Sequence, residues 1–128
     1  MSCVLDASAL LALLLREPGC ERVRGELPTA SMCTVNLAEV VAHYARNDAV
    51  EADVHDALDP LPFERVDFDE ALALDCGMML SVTRELGLSL GDRACLALAR
   101  RLGLSVLTAD RAWTGAGERI GVSVELLR

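Results

Sequence analysis

The sequence of 128 residues contains no lysine, because all twelve of its basic residues are arginine. This absence excludes mechanisms that need a lysine side chain, such as a Schiff base with a carbonyl substrate or the phosphate-binding lysine of a Walker-type loop. Histidine is scarce as well. The two histidines, His43 and His55, are expected to be surface or structural residues rather than metal ligands.

The cysteines include no Cys-x-x-Cys pair and are odd in number, so neither a disulfide framework nor a zinc ribbon is indicated. They are Cys3, Cys20, Cys33, Cys76 and Cys95. Cysteine that is not in a disulfide is among the most frequently buried residue types. We therefore expect five reduced thiols packed in the core.

No apolar run is long enough to cross a membrane: the longest spans residues 9–15, whereas a spanning helix needs about 20 residues. Nor is a secretory signal indicated, because Asp6 interrupts the apolar start and no basic residue precedes it. With 52% hydrophobic residues, the composition is that of a soluble globular protein. We expect a single domain over residues 1–128, located in the cytoplasm and not associated with a membrane.

The net charge of −8 is unevenly distributed. Residues 48–75 hold ten acidic residues and one arginine, whereas residues 76–128 hold five acidic residues and seven arginines. Overall acidity argues weakly against a nucleic-acid partner, because phosphate contacts usually need basic surface. A local excess of arginine or a bound metal ion can reverse this sign, so the net charge alone excludes no partner.

Short apolar segments alternate with longer segments of helical periodicity. This alternation predicts an α/β protein of three layers (α/β/α), with a central parallel sheet of four or five strands and any site at the carboxyl ends of the strands. The predicted strands cover residues 3–5, 29–33, 63–66, 105–108 and 122–126. The predicted helices cover residues 8–16, 35–46 with Thr34 as N-cap, 49–58, 69–86 and 92–102.

Two aspartates directly follow predicted strands. Asp6 comes after the first strand, and Asp110 comes two residues after the strand that begins at Ser105. If both strands are parallel, the two carboxylates lie at the same edge of the sheet. Alternatively, each aspartate caps the helix that follows it, which is a common use of this residue type and the simpler account of either one alone.

Asp92 heads the face of its predicted helix that should contact the core, together with Cys95, Leu96, Ala99 and Leu102. An ionised group is rarely placed on such a face without a partner. Asp92 also completes a capping box with Ser89. Both roles can coexist, because a carboxylate in the first turn stabilises the helix N-terminus and can still direct an oxygen into a site.

Two further residues have alternative interpretations. Glu39 shares a helix face with Asn36, His43 and Arg46, and this spacing by itself indicates a solvated face. Trp113, the single tryptophan, is either a packing anchor, the commoner role, or a platform for stacking on a base.

Four segments, in this order and at this spacing, resemble PIN domains, in particular the VapC-type toxin ribonucleases of type II toxin–antitoxin systems. Each segment alone is a modest signal, and the four together are a strong one. The resemblance extends from Ser2 to about Leu126. The segments are VLDASA at residues 4–9, NLAEV at 36–40, LSLGDRACLA at 88–97 and LTADRAW at 107–113.

The resemblance implies a site of four acids, Asp6, Glu39, Asp92 and Asp110, with auxiliary hydroxyls at Ser8 and Thr108. It also implies that these acids bind Mg²⁺ or Mn²⁺, because clustered carboxylates suit hard cations. Asp6 and Asp92 are the expected direct ligands, while Asp110 and Glu39 bind through water, position the nucleophile or complete a second site. Some relatives carry another acid soon after the fourth, but here the next one is Glu118, which leaves a second metal site in doubt.

Two arginines adjoin acids of this set, Arg93 after Asp92 and Arg111 after Asp110. Each is a candidate phosphate contact, and each could equally form a surface ion pair.

The function implied by the resemblance is metal-dependent hydrolysis of RNA by a homodimeric toxin, which an antitoxin restrains by packing an amphipathic segment on it. The leucines of the first helix, Leu10, Leu11, Leu13, Leu14 and Leu15, support a dimer only indirectly, since burial within the fold explains them too. The alternative function is a catalytically silent PIN-like binding domain that acts through a partner protein. A phosphatase of small substrates is disfavoured, because the first strand lacks the Asp-x-Asp of aspartyl-phosphate hydrolases.

Overall fold

The computed structural model describes residues 2–113 and 115–128, and these residues build one five-stranded sheet. Its order is β3-β2-β1-β4-β5, and every neighbouring pair of strands is parallel. The predicted three-layer architecture with a parallel sheet is confirmed. The strands are β1 (Cys3–Leu5), β2 (Ser31–Cys33), β3 (Glu64–Val66), β4 (Ser105–Thr108) and β5 (Val124–Leu126).

Helices cover both faces of the sheet. On one face lie α1 (Ala7–Leu14), α2 (Cys20–Glu26), α3 (Thr34–Arg46) and α4 (Glu51–Leu58). On the other lie α5 (Glu70–Met78), α6 (Leu80–Thr83), α7 (Leu90–Leu102) and α8 (Ala116–Ile120). Short 3₁₀ helices cover Leu27–Thr29, Arg84–Leu86 and Arg111–Trp113.

Alternate residues of the central strands enter two separate cores, because successive side chains of a strand point to opposite faces of the sheet. Val4 and Val106 pack with the second group of helices. Leu5 and Leu107 pack with the first group. Strands that are apolar on both faces are typical of a parallel sheet enclosed by helices.

The predicted helix over residues 69–86 is broken into α5, α6 and a 3₁₀ turn. Its buried side is as expected, because Leu72, Cys76 and Met79 are buried and Leu86 packs on them. The interruption coincides with a side-chain contact from elsewhere in the chain: Arg93 of α7 donates to the carbonyl oxygen of Cys76. Helical periodicity could not reveal this contact.

Three local expectations need correction. Helix α3 begins at Thr34, and its N-cap is Cys33; the Thr34 hydroxyl instead accepts a hydrogen bond from the backbone N–H of Phe68. Helices α2 and α8 occupy segments for which no element was predicted.

Most leucine side chains of α1 pack against the core of the same chain. Leu10 is buried, and Leu11, Leu13 and Leu14 pack on the core; Leu15 is the exposed one. Burial within the fold therefore explains most of this apolar surface. In the described part of the chain, no helix has the length and apolar character needed to span a bilayer.

The strand order determines where a site can form. From β1 the chain proceeds outward to β2 and β3, and β4 then pairs on the opposite side of β1. The crevice at such a reversal, beside the carboxyl ends of the strands, is where open α/β sheets bind ligands. Asp6 and Asp110 both follow strands at this position.

Candidate active site

Asp6 lies at the carboxyl end of β1, and both oxygens of its buried carboxylate accept hydrogen bonds. Oδ1 accepts from the Ser8 hydroxyl at 2.7 Å and from the backbone N–H of Ala9 at 2.9 Å. Oδ2 accepts from the Thr108 hydroxyl at 2.6 Å. The predicted auxiliary hydroxyls thus both contact the first acid. Asp6 is also the N-cap of α1, so the capping role and the position at the sheet edge coexist.

Burial raises the pKa of the Asp6 carboxyl from its ordinary value of 3.8 to about 6. The hydrogen bonds from Thr108, Ser8 and Ala9 oppose this rise, because they stabilise the ionised form, and the negative charge of Asp92 adds to it. An ionised Asp6 is therefore costly in the folded chain. A cation at this position would lower that cost.

Asp110 is joined to Asp6 through Thr108. The backbone N–H of Asp110 donates to the Thr108 hydroxyl oxygen at 3.0 Å, and this hydroxyl donates to Asp6. The Asp110 side chain accepts from the backbone N–H of Ala112 at 2.9 Å and so caps the 3₁₀ turn that follows. Asp110 is exposed, at the same sheet edge as Asp6.

Asp92 forms the capping box of α7. Its Oδ2 accepts from the backbone N–H of Ser89 at 2.9 Å, while the Ser89 hydroxyl accepts from the backbone N–H of Asp92 at 3.1 Å. The capping box uses one carboxylate oxygen and leaves Oδ1 out of it. The predicted coexistence of capping with a position near the other acids agrees with the effect of Asp92 on Asp6.

Glu39 extends from α3 to the first turn of α7. The ideal Cβ position on Gly91 lies 2.5 Å from Glu39 Oε2, so any side chain at residue 91 would collide with this carboxylate. The Asn36 amide donates to Glu39 Oε1 at 2.9 Å. Glu39 is exposed, as its helical spacing indicated, and it is nevertheless held against the residue that precedes Asp92.

The charges of three of these acids, Asp6, Glu39 and Asp92, act on the pKa of the buried Cys95 thiol. Burial raises the pKa of this thiol well above its ordinary value. The negative charge of Asp6, the Cys33 thiol, and the charges of Asp92 and Glu39 raise it further, in that order. Elements far apart in sequence therefore place Asp6, Glu39 and Asp92 within electrostatic range of one thiol, and Asp110 is linked to Asp6 through Thr108.

The donor set consists of carboxylate and hydroxyl oxygens, which suit a hard divalent cation such as Mg²⁺ or Mn²⁺. The burial of Asp6 also suits a cation, because a cation would offset the cost of ionising this carboxyl. In the part of the chain that the structure describes, no three His, Cys, Asp or Glu side chains are placed so that they could hold an ion together. The residues fit a metal in chemistry and location, while their side-chain orientations do not define a coordination sphere.

The arginines beside the acids differ in their surroundings. Arg93 donates through Nη1 to the carbonyl oxygen of Cys76 at 3.0 Å, and its buried Nε has no hydrogen-bond partner within residues 2–113 and 115–128. This part of Arg93 contacts helix α5 and not a carboxylate. Arg111 is exposed next to Asp110. Glu118, considered above for a second metal site, is exposed on α8.

The structure largely confirms three simpler expectations: a packing role for Trp113, a surface position for His55 and reduced thiols for the cysteines. Trp113 is buried, so it is a packing anchor and offers no face for stacking on a base. His55 is exposed between Glu51 and Asp59. All five cysteines are unpaired thiols, and four are buried, whereas Cys20 is only half-buried.

Asn36 is the site residue that the sequence reasoning missed. Its amide lies between Glu39 and Gly91, yet the helical spacing indicated only a shared solvated face. The available signal was its separation of three residues from Glu39, since such pairs are neighbours on a helix.

Comparisons with known proteins agree with the observed fold. A family model described as the PIN domain matches residues 3–118, which is most of the chain. The comparison with curated proteins gave no match.

Among solved structures, the chain is similar over nearly its full length to proteins from toxin–antitoxin complexes. A DNA-bound VapBC from Salmonella typhimurium gives a TM-score of 0.76 at 19% identity, covering 100% of this chain and 99% of that one. A toxin–antitoxin complex from Klebsiella pneumoniae gives 0.73 at 17%, covering 98% of each chain. VapBC-1 from nontypeable Haemophilus influenzae gives 0.73 at 18%, covering 99% and 98%. At these identities the similarity shows a shared fold.

Proposed function

The chain belongs to the PIN domain family, and from this premise we propose that it is a metal-dependent endoribonuclease, the VapC-type toxin of a type II toxin–antitoxin pair. One observation carries the proposal: Asp6 and Asp110 lie at the carboxyl ends of β1 and β4 and are linked through the Thr108 hydroxyl. The charges of Asp92 and Glu39, from two other helices, act together with that of Asp6 on the pKa of the buried Cys95 thiol. The toxin–antitoxin complexes among its structural relatives support the biological role.

The proposed metal ligands are Asp6 and Asp92, with Glu39 and Asp110 contributing through water or by positioning the nucleophile. A bound Mg²⁺ or Mn²⁺ would supply a water of lowered pKa and neutralise charge on the phosphate oxygens. Ser8 and Thr108 hold the Asp6 carboxylate by donating to one oxygen each. These hydrogen bonds keep Asp6 oriented and favour its ionised form.

RNA is the proposed substrate although the chain carries a net charge of −8. Ten of the 20 acidic residues fall in residues 48–75, a segment that contains none of the four site acids, whereas residues 76–128 have an excess of arginine. Arg111, which is exposed beside Asp110, is one candidate phosphate contact. Arg93, which donates to a backbone carbonyl, is the other.

An antitoxin is the proposed protein partner, and the groove between α3 and α4 fits an amphipathic segment of it. This groove has a volume of about 310 Å³. Its apolar lining is formed by Leu37, Val41, Val54 and Leu58, and its rim includes Glu51, His55, Asp59 and Arg65. Because this region of the sequence is strongly acidic, an occupant with apolar side chains on one face and basic side chains beside them would match it.

The homodimer and the cytoplasmic location belong to the same proposal. Exposed apolar side chains that a second copy could cover include Leu74 and Met78 on α5 and Leu80 and Val82 on α6. Molar mass measured by light scattering during gel filtration tests the dimer. A cytoplasmic location follows from the proposed RNA substrate, and cell fractionation tests it.

The decisive experiment is incubation of the purified chain with total cellular RNA, with mapping of the cut ends. We expect cleavage in Mg²⁺ or Mn²⁺, none in chelator, and none with the Asp6→Asn variant. Expression of the chain alone should slow growth, and coexpression with the product of a small adjacent gene should restore it. Absence of metal-dependent cleavage, together with equal growth for wild type and Asp6→Asn, would favour the silent binding domain.

A further inference from the structure

We propose that Asn36 is a positioning residue that holds the Glu39 carboxylate at the head of α7, an inference that rests on the nuclease function proposed above. Asn36 is buried, with 1% of its surface exposed. Its Nδ2 donates to two acceptors, Glu39 Oε1 at 2.9 Å and the carbonyl oxygen of Gly91 at 3.0 Å. One amide thereby connects a carboxylate of α3 to the backbone immediately before Asp92.

A neutral amide is well suited to this position. A cationic side chain here would neutralise Glu39, whereas an amide orients the carboxylate and leaves its negative charge available to a metal ion. A carboxylate at residue 36 would instead repel both acceptors. The direction of the amide is determined by its surroundings, because the opposite orientation would place Oδ1 against two other oxygens.

Gly91 provides the space that this arrangement needs. An added Cβ would lie 2.5 Å from Oε2, 2.7 Å from Oε1 and 2.7 Å from Cδ of Glu39. Such distances are far below van der Waals contact, so the carboxylate lies directly on the backbone of α7. Asn36 therefore holds Glu39 in a place that only glycine at residue 91 leaves open.

The second polar atom of the amide supports a functional role. Asn36 Oδ1 is buried and has no hydrogen-bond partner among the described residues. A buried acceptor without a donor costs free energy, so an amide present only for stability would be expected to use both of its polar atoms. Here the NH₂ group donates both of its hydrogen bonds to Glu39 and Gly91, while Oδ1 accepts none from the described residues.

The test compares Asn36→Ala with Asn47→Ala, its matched control. Asn47 follows the same helix and is exposed, and its amide donates to the carbonyl oxygen of His43. Affinity for Mn²⁺ is measured from the melting temperature of the chelator-treated full chain during titration with MnCl₂, and kcat and KM are measured on labelled RNA. We expect Asn36→Ala to lower Mn²⁺ affinity and kcat by about tenfold, the lower end of the usual effect of removing a residue that orients the groups around a metal. KM for RNA should change by less than about twofold, and Asn47→Ala should leave all three values at the wild-type level.

Two further variants keep the inference testable if Asn36→Ala does not fold. Gly91→Ala should displace Glu39 and weaken Mn²⁺ binding, whereas Gly77→Ala, where an added Cβ meets nothing within 4 Å, should not. Asn36→Leu has a similar volume but neither donates nor carries charge, so it should lose as much affinity as Asn36→Ala. Wild-type Mn²⁺ affinity in Gly91→Ala or in Asn36→Leu would overturn the proposal.

The outcomes separate this inference from the proposed function. If the wild-type chain binds Mn²⁺ and cleaves RNA, and Asn36→Ala does both equally well, only the positioning role fails. If the wild-type chain does neither, the nuclease proposal fails and the positioning role fails with it.

Discussion

Thr108 donates a hydrogen bond of 2.6 Å to Asp6, a residue 102 positions earlier in the chain. The contact follows from the parallel pairing of β1 with β4, which aligns Leu5 with Leu107 and so brings the next residues side by side. The same hydroxyl accepts from the backbone N–H of Asp110. A single buried hydroxyl thus orients the first acid and fixes the loop that carries the last one.

Thr108→Val should impair both stability and RNA cleavage, because it replaces this hydroxyl by a methyl group of similar size. The variant leaves Asp6 and the N–H of Asp110 without their partner, and we expect a loss of about 1–3 kcal/mol in the free energy of unfolding. Cleavage should fall about tenfold to a hundredfold. Urea unfolding and RNA assays measure the two effects. Thr108→Ser keeps the hydroxyl and should retain most activity; equal loss in both variants would contradict the role assigned to the hydrogen bonds.

The raised pKa of Asp6 predicts a specific dependence of stability on pH in chelator. The folded value, about 6, exceeds the ordinary 3.8, so the folded chain binds this proton more tightly than the unfolded chain does. The contribution of Asp6 to stability is therefore greatest below pH 4 and is lost as the pH rises through 6. Relative to Asp6→Asn, the wild-type chain should gain about 1 kcal/mol between pH 7.5 and pH 5. Denaturant unfolding of both proteins at the two pH values measures this difference, and a constant difference would show that Asp6 is not perturbed.

Asp92→Asn separates the capping role of this residue from its proposed metal-binding role. The asparagine oxygen can still accept from the backbone N–H of Ser89, so stability in chelator should change by less than about 0.5 kcal/mol. A metal at a hundredfold excess over its Kd stabilises the wild-type fold by about 2.7 kcal/mol, a melting shift of several degrees. The variant should lose most of that shift and its metal-dependent cleavage.

The control for Asp92→Asn is Asp53→Asn, an exposed aspartate in the first turn of α4. It should keep the full melting shift in Mg²⁺ or Mn²⁺. If Asp92→Asn also keeps the full metal-induced shift in melting temperature, Asp92 is a capping residue and not a metal ligand.

Val41→Arg should disrupt antitoxin binding without affecting cleavage of RNA. Val41 is exposed and lines the apolar groove between α3 and α4, so a bulky charge there would obstruct a packed apolar segment. Val41 and Glu39 lie on different sides of α3, so the substitution should leave the site intact. Copurification with the antitoxin and RNA assays measure the two properties. Leu102→Arg, at an exposed position at the C-terminal end of α7, is the control, and retained antitoxin binding by Val41→Arg would place the antitoxin elsewhere.

Several features of this protein were determined by local sequence. The bounds of β4 agree with prediction, as do the buried side of α5 and the capping box between Ser89 and Asp92. These features depend on hydrophobic periodicity and on hydrogen bonds between residues within about four positions, which the order of residues specifies directly. The alternation of strand and helix likewise predicted the parallel sheet.

The site residues were identified partly by position and partly by resemblance. Asp6 and Asp110 could be placed at the sheet edge because each follows a predicted strand. Glu39 could not, since its spacing along α3 gives the same pattern for a solvated face and for a carboxylate resting on another helix. Its contact with Gly91 spans elements that are adjacent only after packing.

What the tertiary structure alone decided are the contacts between residues distant in sequence. Arg93 donates a hydrogen bond to the carbonyl oxygen of Cys76, near the break in the predicted long helix. The Asn36 amide donates both to Glu39 and to Gly91, and Gly91 follows Asn36 by 55 positions. Local sequence preferences do not predict these hydrogen bonds. The free energy that such a bond contributes depends on burial and on the geometry of two surfaces that meet only in the folded chain.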